Sequence, residues 1–172
     1  ETAHAHVAAG SKRVVVTAPI KGKPEDVGVL GGTLLCGSSK EGFEGKVITS
    51  NGSCTTNATA PVVAILHETI GIEKAMLNTV HAYTATQKIV DGPDKKDWRR
   101  GRAGAQNIVP SSTGAAKAVT QVLPELVGKF DGIAMRVPVI SGSIADITFI
   151  ASRETTVEEV NTILQHAANE ER

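Results

Sequence analysis

Cys54 stands in the run Ser50-Asn51-Gly52-Ser53-Cys54-Thr55-Thr56-Asn57, where an apolar strand pattern gives way to small polar residues and then to a helical pattern. A helix N-terminus offers unpaired N–H groups and the positive end of the macrodipole, and both favour a thiolate over a thiol. That stretch alone accommodates a buried structural cysteine equally well. A basic partner separates the two readings, and His81 closes the strand pattern Lys74–Ala82. A Cys/His pair suits attack on a carbonyl, because the imidazole removes the thiol proton and later moves protons to and from the carbonyl-derived oxygen. Ser53 and Thr55, together with Thr113 and Gly114 at the head of another helical pattern, supply neutral donors for an anion that must bind and leave; capping alone is the simpler use of the Thr113 pair. Arg136, with Thr84, Thr86 and Arg100, makes a candidate for a second, charge-assisted anion site. Two anion sites flanking one cysteine imply a phosphorylated substrate and a second phosphate, whereas a cysteine hydrolase needs only one.

The elements that must position these groups are readable in outline. Residues 2–9 read as a helix closed by Gly10, and Arg13–Thr17 as a strand buried on both faces, together half of a parallel α/β unit. From Ile20 to Gly45 the chain is mostly loop with a strand inside Val27–Cys36, and its glycines do not form a G-x-G-x-x-G cradle. Lys46–Ser50 is a strand and residues 53–70 a helix with Val62, Val63, Ile65 and Leu66 on its apolar side, bent at Pro61 and stopped by Gly71. In Lys74–Ala82, Met76, Asn78 and Val80 share one face and Leu77, Thr79 and His81 the other. Beside the Lys46 strand in a parallel crossover, this strand would return His81 to Cys54.

Thr84–Gln106 is a long basic loop carrying Lys88, Lys95, Lys96, Arg99, Arg100 and Arg102, which points to function, the plainer alternative being a solvated surface excursion or a subunit contact. A helix over Ala115–Leu126, interrupted at Pro124, precedes two strands, Gly132–Val139 and Ser143–Ala151, that read as an antiparallel hairpin around Ser141-Gly142. Thr156–Glu159 is a capping box opening a helix with Val157, Val160, Ile163, Leu164 and Ala167 on one face.

Lys plus Arg and Asp plus Glu number 18 each in 172 residues, so charge gives no reason to expect nucleic acid or an acidic membrane as partner. His4 and His6 diverge on a helix and make no metal pair. Two cysteines, Cys36 and Cys54, are too few for a disulfide framework and suit the reducing cytoplasm. No run is apolar and long enough to span a bilayer.

Ser53-Cys54-Thr55-Thr56-Asn57, His81-Ala82-Tyr83-Thr84-Ala85-Thr86-Gln87, Ser112-Thr113-Gly114-Ala115-Ala116-Lys117-Ala118 and Arg136-Val137-Pro138 resemble, in order and spacing, the motifs of phosphorylating glyceraldehyde-3-phosphate dehydrogenases. The likeness extends from about Lys12 to the end and departs from the family pattern at Leu35–Ser39 and Val139–Gly142. It implies an α/β to α+β chain: the last parallel strand-helix unit of a Rossmann domain, then a largely antiparallel mixed sheet with helices on one face.

It further implies an internal fragment, with residues 1–50 the remnant of the dinucleotide-binding domain and residues 51–172 an incomplete catalytic domain. By that resemblance Cys54 forms a thioester and His81 is the base. Ser53, Thr55, Thr113 and Gly114 hold inorganic phosphate, and Thr84, Thr86, Arg100 and Arg136 hold the substrate's phosphate. Thr17 contacts NAD or NADP, whose main binding half is missing, so the chain alone is expected not to complete hydride transfer. The basic loop implies a homotetramer. Erythrose-4-phosphate dehydrogenase shares the Cys-Thr-Thr-Asn motif, although Tyr83-Thr84-Ala85-Thr86-Gln87 argues against it; a non-catalytic binding or oligomerisation module stays open.

Overall fold

The computed structural model describes residues 2–39 and 42–169. The part of the loop reading that falls on residues 40–41 lies outside them. Helix α1 (Thr2–Ala8) leads to β1 (Val14–Val16), and β2 (Gly31–Thr33) and β3 (Ile48–Ser50) complete a parallel sheet of order β1-β3-β2. All three β3 residues are buried, but Val15 is 66 % exposed. The expectation of a doubly buried first strand is therefore corrected: β1 holds the sheet edge, and its β-branched run covers one side only.

Helix α2 (Cys54–Thr69) runs on through Pro61 and buries Thr56, Thr59, Ala60, Val63 and Leu66, a stripe at helical spacing that includes two threonines; Val62 and Ile65 are half-buried at its margin. Gly71 then reverses the chain at φ +73°, where an added Cβ would lie 2.7 Å from the Ser152 hydroxyl. The following strands are β4 (Ile72–Ala82), β5 (Val109–Ser112), β6 (Phe130–Val137) and β7 (Ser143–Ala151), in the order β5-β6-β4-β7. Strands β4 and β6 are parallel, while β5 with β6 and β4 with β7 are antiparallel.

Two topological expectations are overturned. Strands β6 and β7 are not a hairpin, because β4 lies between them. The connection through residues 138–142 passes over the end of β4, with Tyr83 N–H donating to Val137 O (3.1 Å) and Ala82 N–H to Gly142 O (3.0 Å). It need only span two strand spacings, about 10 Å. Nor does β4 lie beside β3; it belongs to the second sheet. His81 still returns to the start of α2, because the 16-residue helix and the 11-residue strand run in opposite directions over comparable lengths, roughly 24 Å and up to about 36 Å.

Helices α2, α3 (Ala115–Val122) and α4 (Val157–Asn169) enclose the core against this four-stranded sheet, with Val63, Leu66, Ile72, Leu77, Val119, Leu123 and Leu126 at its centre. The opposite face leaves Met76, Ile133, Ile144 and Ile150 exposed. In α4, Val160, Ile163 and Leu164 pack on the core, but Val157 is 71 % exposed and does not join them. The capping box is half formed. Thr156 Oγ1 accepts from Glu159 N–H (3.2 Å), while the Glu159 carboxylate turns instead to Arg153 and Thr155.

Candidate active site

The corner before α2 is built by its own side chains. Gly52 takes φ +69° and approaches Thr56 closely enough that a Cβ would crowd it at 3.2 Å. Ser50 Oγ accepts from Gly52 N–H (3.0 Å) and donates to Ala18 O (2.8 Å), tying the corner to the end of β1. Ser53 is the N-cap, its hydroxyl accepting from Thr56 N–H at 3.1 Å. Asn57 Nδ2 donates to Asn51 O (2.7 Å) and Ser53 O (2.9 Å), so the turn before Cys54 is tied to the first turn of α2. Cys54 itself is exposed, and its Sγ lies 3.4 Å from His81 Nε2. The reading of a buried structural cysteine is set aside by that exposure.

His81 is fixed from behind. Its Nδ1 lies 2.7 Å from Ala82 O, and Arg136 Nη1 donates to the same carbonyl at 3.0 Å while standing 2.9 Å from Nδ1. A carbonyl oxygen only accepts and has two lone pairs, so both nitrogens donate to it. Nδ1 then carries the hydrogen, and the Nε2 lone pair faces the thiol. His81 and Arg136 are register partners in the parallel ladder of β4 and β6, which sets their side chains next to one another.

Burial holds the Arg136 guanidinium below its usual value; attraction to Cys54 opposes this and repulsion from Arg100 adds to it. The Nε atoms of Arg136 and Arg100 and Nε2 of Gln87 are buried donors without an acceptor. Such atoms mark a place where an anion or water belongs. Thr84 and Thr86 lie just past β4 with their hydroxyls 2.9 Å apart, and Gln87 Oε1 accepts from Thr84 N–H (3.0 Å) and Thr84 Oγ1 (3.3 Å).

The basic loop neutralises much of its own charge. Asp97 binds Arg99 through Nε (3.0 Å) and Nη2 (2.8 Å), and Asp91 pairs with Arg102 at 3.1 Å. The Arg99 hydrogen bond lowers the Asp97 carboxyl below its usual range, and backbone N–H groups of Lys96 and Asp97 do the same for Asp94. Arg100, half-buried and close enough to repel Arg136, is the cation the loop directs inward.

Thr113 Oγ1 accepts from Ala115 N–H (3.1 Å), and Gly114 is the N-cap residue of α3, which packs against α2. No hydrogen bond among the described residues joins this pair, or the buried Thr55, to Cys54 or His81. Thr17 is exposed just beyond β1, whose Val16 O accepts from Asn51 N–H (2.9 Å). No glycine fingerprint or acidic partner accompanies it among the described residues, so these residues do not make a dinucleotide cradle. Sequence reasoning assigned no role to Asn57, Ala82 O or Gln87. Asn57 and Gln87 lay inside the motifs already singled out, but a carbonyl's orientation leaves no sequence signal.

The arrangement can activate a thiol against a carbonyl beside two arginines, Arg136 and Arg100, whose buried Nε atoms are unpaired. Residues 53–172 match the family model described as the C-terminal domain of glyceraldehyde 3-phosphate dehydrogenase. Glyceraldehyde-3-phosphate dehydrogenase 1 of Kluyveromyces lactis is 46 % identical over 168 residues, covering 98 % of this chain and 49 % of the relative. Glyceraldehyde-3-phosphate dehydrogenase 3 of Saccharomyces cerevisiae is 46 % identical over 169 residues (98 % and 48 %), and glyceraldehyde-3-phosphate dehydrogenase 1 of Trichormus variabilis 48 % over 170 residues (98 % and 48 %). The chain thus spans about half the length of the curated relatives it matches. With the thiol, the imidazole and the arginine in the order and register described, this match over most of the chain means that it belongs to the glyceraldehyde 3-phosphate dehydrogenase family.

Proposed function

We propose that the protein containing this chain oxidises and phosphorylates glyceraldehyde 3-phosphate to 1,3-bisphosphoglycerate, a step of glycolysis, with Cys54 as nucleophile and His81 as base. The contact of 3.4 Å between Cys54 Sγ and His81 Nε2 carries the reading. His81 takes the thiol proton at Nε2, and the sulfur attacks the aldehyde carbon. A C–S bond forms, the carbonyl π pair moves to oxygen, and that oxygen takes a proton from Nε2–H to give a thiohemiacetal. In the oxidation His81 removes the same hydroxyl proton. Oxidation of the thiohemiacetal to the thioester needs a hydride acceptor, a nicotinamide nucleotide, NAD or NADP, for which the described residues supply Thr17 but no cradle. On the thioester, a phosphate oxygen attacks the carbonyl carbon, the C–S bond breaks and Cys54 leaves as thiolate.

Arg136, Arg100, Thr84 and Thr86 hold the substrate's phosphate, the buried unpaired arginine nitrogens supporting that use. Ser53, Thr55, Thr113 and Gly114 serve inorganic phosphate. Residues 1–50 belong to the nucleotide-binding domain and 51–172 to the catalytic domain, and the complete protein is a cytoplasmic homotetramer, in keeping with the exposed Trp98, Val90 and Ile89 of the basic loop. The chain by itself forms the thiohemiacetal and stops.

The test is a rapid-mixing assay on the intact protein with glyceraldehyde 3-phosphate and each nucleotide. Without inorganic phosphate it gives one burst equivalent of reduced nucleotide per Cys54 and halts; phosphate restores turnover. Steady turnover by Cys54→Ser, or a preference for erythrose 4-phosphate, overturns the assignment.

A further inference from the structure

Gln87 is 4 % exposed and lies in a loop whose neighbours Thr84, Thr86 and Lys88 all face solvent. A buried amide is expensive unless both its ends are hydrogen-bonded, yet Nε2 of Gln87 has no acceptor and only Oε1 is used. That oxygen accepts from the backbone N–H and from the hydroxyl of one residue, Thr84 (3.0 and 3.3 Å). The backbone N–H must donate, which fixes the amide with its oxygen toward Thr84. When the Thr84 hydroxyl donates to Oε1, its oxygen accepts from Thr86 Oγ1–H, 2.9 Å away. Both hydroxyl protons are then spoken for until a stronger acceptor arrives, and a phosphate oxygen is such an acceptor.

We propose that Gln87 is a positioning residue for the substrate's phosphate: it holds Thr84 by its backbone N–H and stores the Thr84 and Thr86 hydroxyls in a closed chain that opens onto the phosphate. This rests on the reading of Thr84, Thr86 and Arg136 as the phosphate site. Phosphate draws the hydroxyl protons outward, while the Thr84 N–H bond to Oε1 persists and keeps the backbone in place. No hydrogen bond among the described residues joins Gln87 to Cys54 or His81, so its influence falls on binding rather than on the reacting carbon.

The test compares glyceraldehyde 3-phosphate with glyceraldehyde, the same aldehyde without phosphate, on the intact protein. Gln87→Met raises KM for the phosphorylated aldehyde about tenfold and leaves kcat, both constants for glyceraldehyde, and the iodoacetamide rate of Cys54 unchanged. Unchanged KM values, or a parallel loss on both aldehydes with alkylation intact, overturns the role of Gln87. If Gln87→Met also loses alkylation and has misfolded, Gln87→Glu decides. It keeps an acceptor for Thr84 and sets a negative charge behind the hydroxyls, so it raises KM for the phosphorylated aldehyde alone; no change there overturns the proposal. Wild-type protein that fails to distinguish the two aldehydes instead removes the phosphate site itself, and the role of Gln87 with it.

Discussion

Cys36 and Cys54 are both exposed thiols, and what separates them is their surroundings. Cys54 opens a 16-residue helix and faces an imidazole nitrogen at 3.4 Å; no hydrogen bond involving the Cys36 thiol occurs among the described residues. Thiolate character follows such neighbours rather than exposure, so Cys54→Ser should remove the fast phase of iodoacetamide labelling, at least about tenfold in rate, while Cys36→Ser leaves it intact. Equal labelling of both thiols, followed by peptide mass mapping, would contradict an activated Cys54. The thiol, His81 and Arg136 were legible in sequence because their residue types announce chemistry. The Ala82 carbonyl that orients His81 was not, since any residue carries one, and Gln87 was not, since burial of a polar loop residue depends on contacts made far along the chain.

At the scale of elements, local signals read well and pairing read poorly. Thr156 caps the helix its position suggested and Gly71 stops α2, while Ser53, read as the first helical residue, is the N-cap of α2. The supposed hairpin failed because a short connection between two strands looks the same whether or not a third strand fits between them, and β4 enters from earlier in the chain. The capping box at α4 was half right for a physical reason: Arg153 offers Glu159 a bidentate partner at 2.7 and 3.1 Å, and a charge-assisted fork outcompetes the Thr156 backbone N–H. That contact and the Thr155 hydroxyl lower the Glu159 carboxyl to about 2.

A carboxyl lowered in the folded state contributes stability above its unfolded value, near 4.5, and the contribution is lost as pH falls through about 2. The thermal midpoints of wild type and Glu159→Gln should therefore differ at neutral pH and converge between pH 4.5 and 2. The difference is small because the pair is solvent-exposed and screened, and it shrinks further with added salt. A gap that stays constant down to pH 2 would show that the contact does not hold the start of α4.

For the molecule as a whole, the motif resemblance carried the fold class correctly, with a parallel sheet followed by a mixed one and helices on one face. Hydrophobic pattern alone could not tell that β3 and β4 belong to different sheets, because α2 connects them in either arrangement. The candidate site lies where the two sheets meet: Cys54 opens α2 just after β3, His81 stands next to the end of β4, and Arg136 lies on β6, 55 positions beyond His81. Parallel pairing at such separation is slow to form, since the loop must close before any ladder bond forms. The register of β4 against β6 therefore gives the thiol a property in time as well as in space. During refolding of the intact protein, helical circular dichroism should return before fast Cys54 alkylation, which appears only in the last cooperative phase. Cys54 is thus expected to alkylate slowly for as long as the chain is incomplete in its folding, and early return of fast labelling would show that the helix start alone suffices to speed it.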